Sequence, residues 1–342
     1  MKRLICIALV LCLLLCGCAP AQTAQNKRYS ASFLTLFDTV TTIVGFAESE
    51  EAFSETIQGI HDELEIYHQL FDIYNEYPGI NNLKTINDNA GIAPVTVDPA
   101  IIALLTDCKA YYDLTGGMVN VAMGSVLQLW HEARNHGIND PLNASLPDTA
   151  ALEAAAEHCD LNAVVIDEAA STVYIRDPNV RLDVGAIAKG WAVQRICESA
   201  PSGLLISVGG NVCATGPKDE AGTAWVVGVQ NPDGAAEDYL HTVYCARGSV
   251  VTSGDYQRAY TVDGVSYHHI IDPDTLFPAA HWRSVTVLCP DSGLADALST
   301  ALFLLPLEEG LALLEKCGAE AMWVNAEGEI SYSPGFEANI RT

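Results

Sequence analysis

An aspartate and a threonine one helical turn apart form the first group of residues that could carry chemistry. In segment 295–301, Asp296 and Thr300 stand at positions i and i+4. On a helix this spacing points both side-chain oxygens to one face. A carboxylate beside a hydroxyl suits a hard cation such as Mg²⁺, which keeps waters and substrate phosphate as its other ligands. An aspartate near a helix start also interacts favourably with the helix dipole, so the spacing alone leaves both interpretations open.

A turn of small residues before a predicted helix supplies the second group. The pattern of residues 181–192 predicts a strand that ends at Asp183, a turn at Gly185 and a helix from about Ala186. The free N–H groups and the dipole at a helix N-terminus attract anions, and Lys189, about one turn inside, could reach a phosphate. A plain strand–turn–helix connection gives the same pattern, and the P-loop motif is absent from the sequence.

Two polar clusters flank a predicted hairpin and could converge on one site. Residues 251–258 include Asp255, and His268 and His269 follow ten residues after this segment. His269, between a strand and an Asp-Pro turn, is well placed for acid–base catalysis, although a lone histidine is usually structural. The glycines of the 209–211 motif indicate either a close approach of the backbone or a tight turn.

Alternating strands and helices have to position these groups. Strand patterns, rich in β-branched and aromatic residues, occur at 29–46, 163–167, 172–176, 203–208, 224–230, 240–246, 258–262 and 284–288. Helical spacing of apolar residues occurs at 49–71, 99–115, 151–159, 186–199 and 295–304, and residues 137–150 are predicted as a loop. Because no Pro/Ser-rich linker separates these segments, we expect one α+β domain, with a mixed sheet and packed helices in a two-lobed arrangement.

The composition excludes several classes of protein. The 342 residues contain 17 Lys+Arg against 43 Asp+Glu, a net charge of −26, which is too acidic for a protein that grips nucleic-acid phosphates. The apolar share of 49% is that of a globular core and excludes a disordered acidic tail. Four of the 11 cysteines lie within residues 1–18, and the others form no C-x-x-C pair, so we expect most of them to be buried apolar residues.

The N-terminal residues are predicted to be a signal peptide followed by a tether. Lys2 and Arg3 precede an apolar run at 4–16, which is shorter than the roughly 20 residues that a spanning helix needs. Gly17 and Cys18 resemble a bacterial lipobox. We therefore expect a signal peptide at 1–17, Cys18 lipidated with chains such as palmitate, a tether at 18–28 and the domain at 29–342. An ordinary secretory signal is the alternative. Either way the protein would lie outside the cytoplasm, and with the lipid it would be anchored to the membrane.

Taken together, the motifs resemble those of the FAD:protein FMN transferase family, the ApbE family, from about residue 33 to residue 300 and beyond. In chain order they are Thr115-Gly116-Gly117, Leu182-Asp183-x-Gly185-x-Ile187-Ala188-Lys189-Gly190, Gly209-Gly210-Asn211, Thr252-Ser253-Gly254-Asp255-Tyr256, His269-Ile270-Ile271-Asp272-Pro273 and Ala295-Asp296-Ala297-Leu298-Ser299-Thr300-Ala301.

The resemblance implies an enzyme that binds FAD and, with Mg²⁺, moves its FMN half to a Thr or Ser hydroxyl of an acceptor protein, releasing AMP. It implies that the metal ligands are Asp296, Thr300 and the backbone carbonyl of Ala186. His269 matches the family's candidate proton carrier, and Asp255 is the second choice. The implied contacts to FAD are Phe37, Tyr74, Met118, Val119, Asn120, Asp183, Lys189, Ile270 and Ile271.

Three departures from the family pattern concern the nucleotide and flavin contacts, not the metal ligands. Residues 37–39 are Phe-Asp-Thr where the family usually has Met-Gly-Thr. Asn120 stands where the family usually has an aspartate, and Thr275 is followed by Leu276 and Phe277 instead of a glycine.

Two other functions remain open at this point. The same residues could serve a Mg²⁺-dependent pyrophosphatase that hydrolyses FAD to FMN and AMP. A solute-binding lipoprotein without catalysis would also be acidic and tethered, but it would not need Asp296 and Thr300 beside Lys189. Release of AMP from FAD separates such a binding protein from either enzyme.

Overall fold

An antiparallel sheet of eight strands forms the centre of the fold. The computed structural model describes residues 26–234 and 238–341. The strands of this part of the chain are β1 (Lys27–Leu34), β2 (Val40–Ala47), β3 (Val95–Thr96), β4 (Val164–Asp167), β5 (Thr172–Ile175), β6 (Leu204–Val208), β7 (Asn211–Ala214), β8 (Trp225–Gln230), β9 (Tyr239–Cys245), β10 (Gly248–Gly254), β11 (Tyr260–Val262), β12 (Val265–Tyr267), β13 (Ser284–Cys289), β14 (Glu320–Val324) and β15 (Ile330–Tyr332).

The helices lie mainly between these strands. They are α1 (Glu50–Phe71), α2 (Leu83–Asp88), α3 (Pro99–Leu114), α4 (Gly124–Asn139), α5 (Thr149–Ala156), α6 (Ala188–Ser199), α7 (Ser292–Leu304) and α8 (Leu307–Cys317). Several begin at the capping residues that their sequences predict: the side chains of Ser49, Asp98 and Asp291 accept hydrogen bonds from the first turns of α1, α3 and α7.

The central sheet has the order β1-β2-β6-β7-β10-β13-β14-β15, and each neighbouring pair is antiparallel. Alternation along the strands gives the sheet two apolar faces. One face, which includes Ile43 and Val251, packs against α1, α6 and α7. The other face, which includes Val250 and Met322, is covered by the β8–β9 hairpin through Trp225. A three-stranded sheet β3-β5-β4 and a smaller apolar cluster centred on Trp130 of α4 complete the fold.

Most predicted elements are found within a few residues of their expected bounds, and the α+β class is confirmed. The predicted strand at 29–46 is in fact two strands, because the chain reverses through a short 3₁₀ turn at Leu36–Asp38. β1 begins at Lys27, inside the segment expected to be tether. The sheet is antiparallel rather than mixed. The loop expected at 137–150 instead contains the end of α4 and the start of α5.

One local prediction near the motifs needs correction. No strand precedes Asp183 in the described structure, where Arg181 forms only an isolated bridge with Met123, and α6 begins at Ala188. Of the two interpretations of the 209–211 motif, the tight turn is the one found: Gly209 and Gly210 form a two-residue hairpin turn between β6 and β7, with φ of 54° and 94°. Positive φ at both positions is what such a tight turn requires.

The expected signal peptide and Cys18 lie outside the described residues. Among the helices that are described, none combines the length and apolarity needed to cross a bilayer. The cysteines of the described chain are free thiols, and four of them, Cys108, Cys213, Cys245 and Cys289, are buried, as expected for small apolar residues.

Candidate functional site

A cavity of about 520 Å³ contains the polar motifs. Its walls come from the β1–β2 connection, the segments that follow α1 and α3, helix α4, the turn before α6, the segments that follow β10 and β12, and helix α7. This volume lies within the range of small-molecule and cofactor sites, about 300–1,000 Å³.

The close crossing of α6 and α7 builds the polar end of the cavity. Gly190 lies in the first turn of α6, where a Cβ atom would stand 2.3 Å from the Ser292 carbonyl oxygen and 2.5 Å from Cβ of Asp296. Only glycine therefore allows this approach. The backbone N–H of Gly190 donates a 2.8 Å hydrogen bond to Oδ2 of Asp296. The contact explains why a small residue at 190 and a carboxylate at 296 occur together.

Asp296 is a buried carboxylate with one cationic neighbour. The residue is 4% exposed. Nζ of Lys189 lies 3.7 Å from Oδ2 and donates a 3.3 Å hydrogen bond to the Gly185 carbonyl. Burial raises the pKa of Asp296, while Lys189 and the Gly190 N–H act in the opposite direction. A carboxylate in this position needs positive charge nearby to remain ionised.

The donor atoms at this end fit a hard divalent cation. Asp296, the half-buried Thr300 one turn further along α7, and Ala186 in the turn before α6 all line the cavity. A carboxylate, a hydroxyl and a backbone carbonyl are oxygen donors of the kind that Mg²⁺ prefers. Asn211 lines the same region and is 2% exposed.

His269 faces the cavity as a neutral imidazole. Its Nδ1–H donates a 3.2 Å hydrogen bond to the Gln257 carbonyl, which leaves Nε2 as a proton acceptor. Burial lowers the pKa of His269 to about 3, and the positive charges of Arg258, Lys189 and Arg134 add to this effect. The geometry and the neutral state leave Nε2 free to accept a proton, while the low pKa makes the ring a weak base as long as the neighbouring positive charges face no anion.

The neighbouring His268 has a structural role. Its Nε2–H donates to the Ala279 carbonyl at 2.8 Å, and its Nδ1 accepts from the N–H of Ile270 at 3.2 Å. Burial lowers the pKa of His268, and the two hydrogen bonds fix the neutral tautomer. This arrangement holds the strand end that carries His269.

Asp255 is not brought into the cavity lining. Its Oδ2 accepts a 2.6 Å hydrogen bond from Nε of Arg283, whose Nη1 donates to Asp233 at 2.8 Å. The carboxylate is thus committed to an ion pair next to the site.

The remaining predicted residues converge on the cavity. Phe37 has a left-handed backbone with φ of 53°, and its N–H donates to Nδ1 of His68 at 3.3 Å. Asn120 uses both ends of its amide within the chain, as donor to the Cys159 carbonyl and acceptor from the Ala122 N–H. The cavity lining contains His269, the three predicted metal ligands and all predicted FAD contacts, namely Phe37, Tyr74, Met118, Val119, Asn120, Asp183, Lys189, Ile270 and Ile271.

Several lining residues were not selected from the sequence. Trp130, His131 and Arg134 come from α4, the helix that the pattern did not predict, and Arg258 lay within a motif without being chosen. The apolar spacing of Val126 and Trp130 was the available signal for that helix. His131 and Tyr74 form a 2.8 Å side-chain hydrogen bond across the cavity wall.

Comparisons with known proteins give one family for the chain. The family model described as the ApbE family matches residues 37–323. The chain is 37% identical over 277 residues to the FAD:protein FMN transferase of Treponema pallidum, covering 76% of this chain and 75% of that one. A relative of the same name from Klebsiella pneumoniae is 32% identical over 275 residues, covering 78% and 83%. The crystal structure of the ApbE protein from Thermotoga maritima is similar with a TM-score of 0.80 and 29% identity, over 92% of this chain and 100% of the other.

Proposed function

The chain belongs to the ApbE family, and from that premise we propose that it is a magnesium-dependent FAD:protein FMN transferase attached to a membrane. The enzyme transfers the FMN half of FAD to an acceptor protein. One observation carries the assignment of the site: the buried carboxylate of Asp296 stands beside Lys189 at the end of a cavity that contains every predicted FAD contact.

The transfer makes one bond and breaks another at the flavin-side phosphorus of FAD. The hydroxyl oxygen of an acceptor Thr or Ser forms the new phosphoester bond, and the bond from this phosphorus to the bridging oxygen breaks. The bridging oxygen leaves with AMP. The hydroxyl proton goes to Nε2 of His269, which is free because Nδ1–H is bonded to Gln257.

Charge at the polar end of the cavity supports this reaction. Lys189 provides a fixed positive group close to Asp296, where it can bind an oxygen of the diphosphate. Asp296, Thr300 and the carbonyl of Ala186 would hold Mg²⁺. When bound, the ion supplies charge neutralisation for the diphosphate and for the departing AMP.

The site assignment is tested by replacing Asp296 with asparagine. Membrane proteins of the source organism are incubated with FAD, Mg²⁺ and enzyme, and covalent flavin is read as gel fluorescence and as an FMN-modified Thr or Ser by mass spectrometry. We expect the wild-type chain to modify an acceptor, EDTA to stop the reaction, and Asp296→Asn to lose it. The control is Asp113→Asn, an exposed carboxylate on α3, which should retain activity. Wild-type rates in Asp296→Asn with Mg²⁺ would refute the assignment.

The hydrolytic alternative uses the same groups, with water in place of the acceptor hydroxyl. Chromatography of the same reactions separates the two outcomes, because transfer yields AMP and bound FMN whereas hydrolysis yields AMP and free FMN. A binding protein without catalysis would release no AMP.

The proposed location outside the cytoplasm rests on the sequence of residues 1–18. Cys18→Ser should move the protein from the membrane fraction to the soluble fraction and abolish incorporation of labelled palmitate. Membrane association unchanged by this substitution would overturn lipid anchoring at Cys18.

A further inference from the structure

We propose that Arg134 and Arg258 form a second anion site in the cavity, one that binds phosphate oxygens of the FAD diphosphate. This inference rests on the FAD-binding function proposed above. It adds two residues that lie outside the contacts implied by the family motifs.

Helix α4 carries Arg134 to the cavity wall. One turn earlier, Trp130 is 4% exposed, and its Nε1–H donates a 2.9 Å hydrogen bond to the Leu276 carbonyl, which anchors the helix. His131 and Arg134 follow at a spacing of three, so they are neighbours on the helix surface. Both line the cavity, and His131 is fixed there by its hydrogen bond to Tyr74.

Arg258 reaches the same cavity from the turn that follows β10. Its backbone has φ of 49°, in the left-handed region that non-glycine residues rarely adopt. Such strained positions persist where the surroundings enforce them and are concentrated at functional sites. Gln257, the residue before Arg258, also lines the cavity, and its carbonyl accepts the hydrogen bond from the ring of His269.

Neither guanidinium has an acidic partner in the chain as described. Arg283 is paired with Asp233 and Asp255, and Arg195 is paired with Glu198, but no carboxylate oxygen lies within 4 Å of Arg134 or Arg258. Their side chains also make no hydrogen bond within residues 26–234 and 238–341. Other arginines of the described chain, such as Arg176 and Arg247, also have no such pair, but they are not part of the cavity lining. Two arginines without a carboxylate partner inside one cavity point to a ligand that supplies the negative charge.

Arg134 and Arg258 place two positive charges near each other in the cavity wall. Arg134 is half-buried, and burial together with the nearby charge of Arg258 lowers its pKa. The positive charges of both arginines and of Lys189 also lower the pKa of His269. All three cations line the same cavity as His269, the group expected to take the acceptor proton. Lys189 has Asp296 as its counterion, whereas Arg134 and Arg258 have no carboxylate oxygen within 4 Å in the described chain. Like charges held close together without a counterion cost free energy that a bound anion recovers.

The shape of the charged groups favours phosphate. A guanidinium presents a planar fork of N–H donors that matches phosphate oxygens in pairs. The diphosphate is the charged part of FAD, and its leaving phosphate gains negative charge as AMP departs. The two arginines together with Lys189 would bind both phosphates while the leaving phosphate gains negative charge.

The test compares charged and uncharged flavins on variants of the full chain. Affinities for FAD and for riboflavin, which has no phosphate, are measured by quenching of flavin fluorescence in EDTA, for Arg134→Gln, Arg258→Gln and the double variant. The control is Arg176→Gln, an exposed arginine that is not part of the cavity lining. We expect each single variant to weaken FAD binding by about tenfold, as for loss of a charge-assisted hydrogen bond, with the riboflavin affinity unchanged.

Unchanged riboflavin affinity also shows that each variant is folded around its flavin pocket. If Arg258→Lys retains more FAD affinity than Arg258→Gln, the role of the charge is supported independently. The proposal is overturned if the double variant binds FAD as tightly as the Arg176→Gln control does. Failure of the wild-type chain to bind FAD would instead refute the proposed function, and this measurement precedes the others.

Discussion

The ammonium group of Lys189 and the carboxylate of Asp296 meet across two helices, with Nζ 3.7 Å from Oδ2. Lys189 lies in the first turn of α6 and Asp296 in the second turn of α7. The same carboxylate oxygen accepts the N–H of Gly190, so Asp296 also serves one of the free donors at the start of α6. One carboxylate thus joins the helices and supplies the negative end of the proposed metal site.

Gly190→Ala should destabilise the protein and impair transfer. The added methyl group would stand 2.3 Å from a backbone oxygen of α7, so the two helices must separate. We expect a loss of about 1–3 kcal/mol in the free energy of unfolding, as for other overpacked positions, and a fall in FMN transfer because Asp296 shifts. Urea denaturation and the transfer assay measure the two effects.

The matched control for this substitution is Gly59→Ala in α1. Open space surrounds Gly59, with nothing within 4 Å of an added Cβ. Alanine is favoured over glycine within helices by about 0.5–1 kcal/mol, so this variant should be more stable than wild type and fully active. Equal stability changes at positions 59 and 190 would contradict the close-crossing account.

Lys189→Met should weaken FAD binding without unfolding the protein. The substitution keeps the aliphatic stem and removes the ammonium group that lies near Asp296. We expect FAD affinity to fall about 10- to 100-fold, as for loss of a charge-assisted contact to phosphate. Titration of flavin fluorescence checks this, and Lys316→Met, at the far end of α8, is the control. An FAD affinity equal to that of the control would exclude a phosphate contact.

The sequence predicted the residues proposed to bind the metal and the phosphates, but not all of the residues that line the cavity. Asp296 and Lys189 were found because helical spacing and a helix start have local signatures. Arg134 was not selected, because α4 begins with Gly124 and contains Gly137 near its end, and glycine weakens any helical pattern. The pairing of β2 with β6 and of β10 with β13 brings distant segments together, and no local pattern reports such contacts.

The reversal between β1 and β2 was missed for a related reason. Glycine and proline are the usual sequence signals of a turn. Here the turn contains neither, and Thr35, Phe37 and Asp38 adopt left-handed φ angles of 94°, 53° and 52°. The residues 29–46 are rich in strand-forming types throughout, so they resembled one continuous strand.

Asp38 is therefore a position where glycine should be the better residue. Asp38→Gly removes the steric cost of its left-handed backbone, and we expect a gain of about 0.5–1 kcal/mol in the free energy of unfolding. Asp38→Ala should instead lower stability by a similar amount, since alanine tolerates this region poorly. The two variants are compared by urea denaturation, and an alanine variant as stable as the glycine variant would contradict the left-handed assignment.

His269→Asn should slow transfer while leaving FAD affinity near the wild-type value. Removal of a proton acceptor typically costs about 10²- to 10⁴-fold in rate, and the Asn amide cannot take a proton. The transfer rate at saturating FAD is compared with that of His136→Asn, an exposed histidine on α4. A wild-type transfer rate in His269→Asn would show that His269 is not the proton acceptor.

The buried histidines should also make the fold sensitive to acid. The pKa of His269 is lowered to about 3 and that of His268 is lowered too, whereas both titrate near 6.5 in the unfolded chain. Above about pH 6.5 these histidines are neutral in both states and contribute no pH dependence. As the pH falls from about 6.5 toward 3, the unfolded chain binds protons that the folded chain excludes, so the free energy of unfolding decreases.

This contribution can be isolated by comparing variants across pH. For His269 the loss approaches about 1.4 kcal/mol per pH unit between its unfolded pKa and about 3. His269→Asn should therefore gain stability relative to wild type as the pH is lowered from 7 to 4.5, while His136→Asn should follow the wild-type curve. Urea denaturation at pH 7, 5.5 and 4.5 measures the difference. Parallel curves for His269→Asn and wild type would mean that His269 can be protonated in the folded protein, which would also weaken its assignment as the neutral proton acceptor.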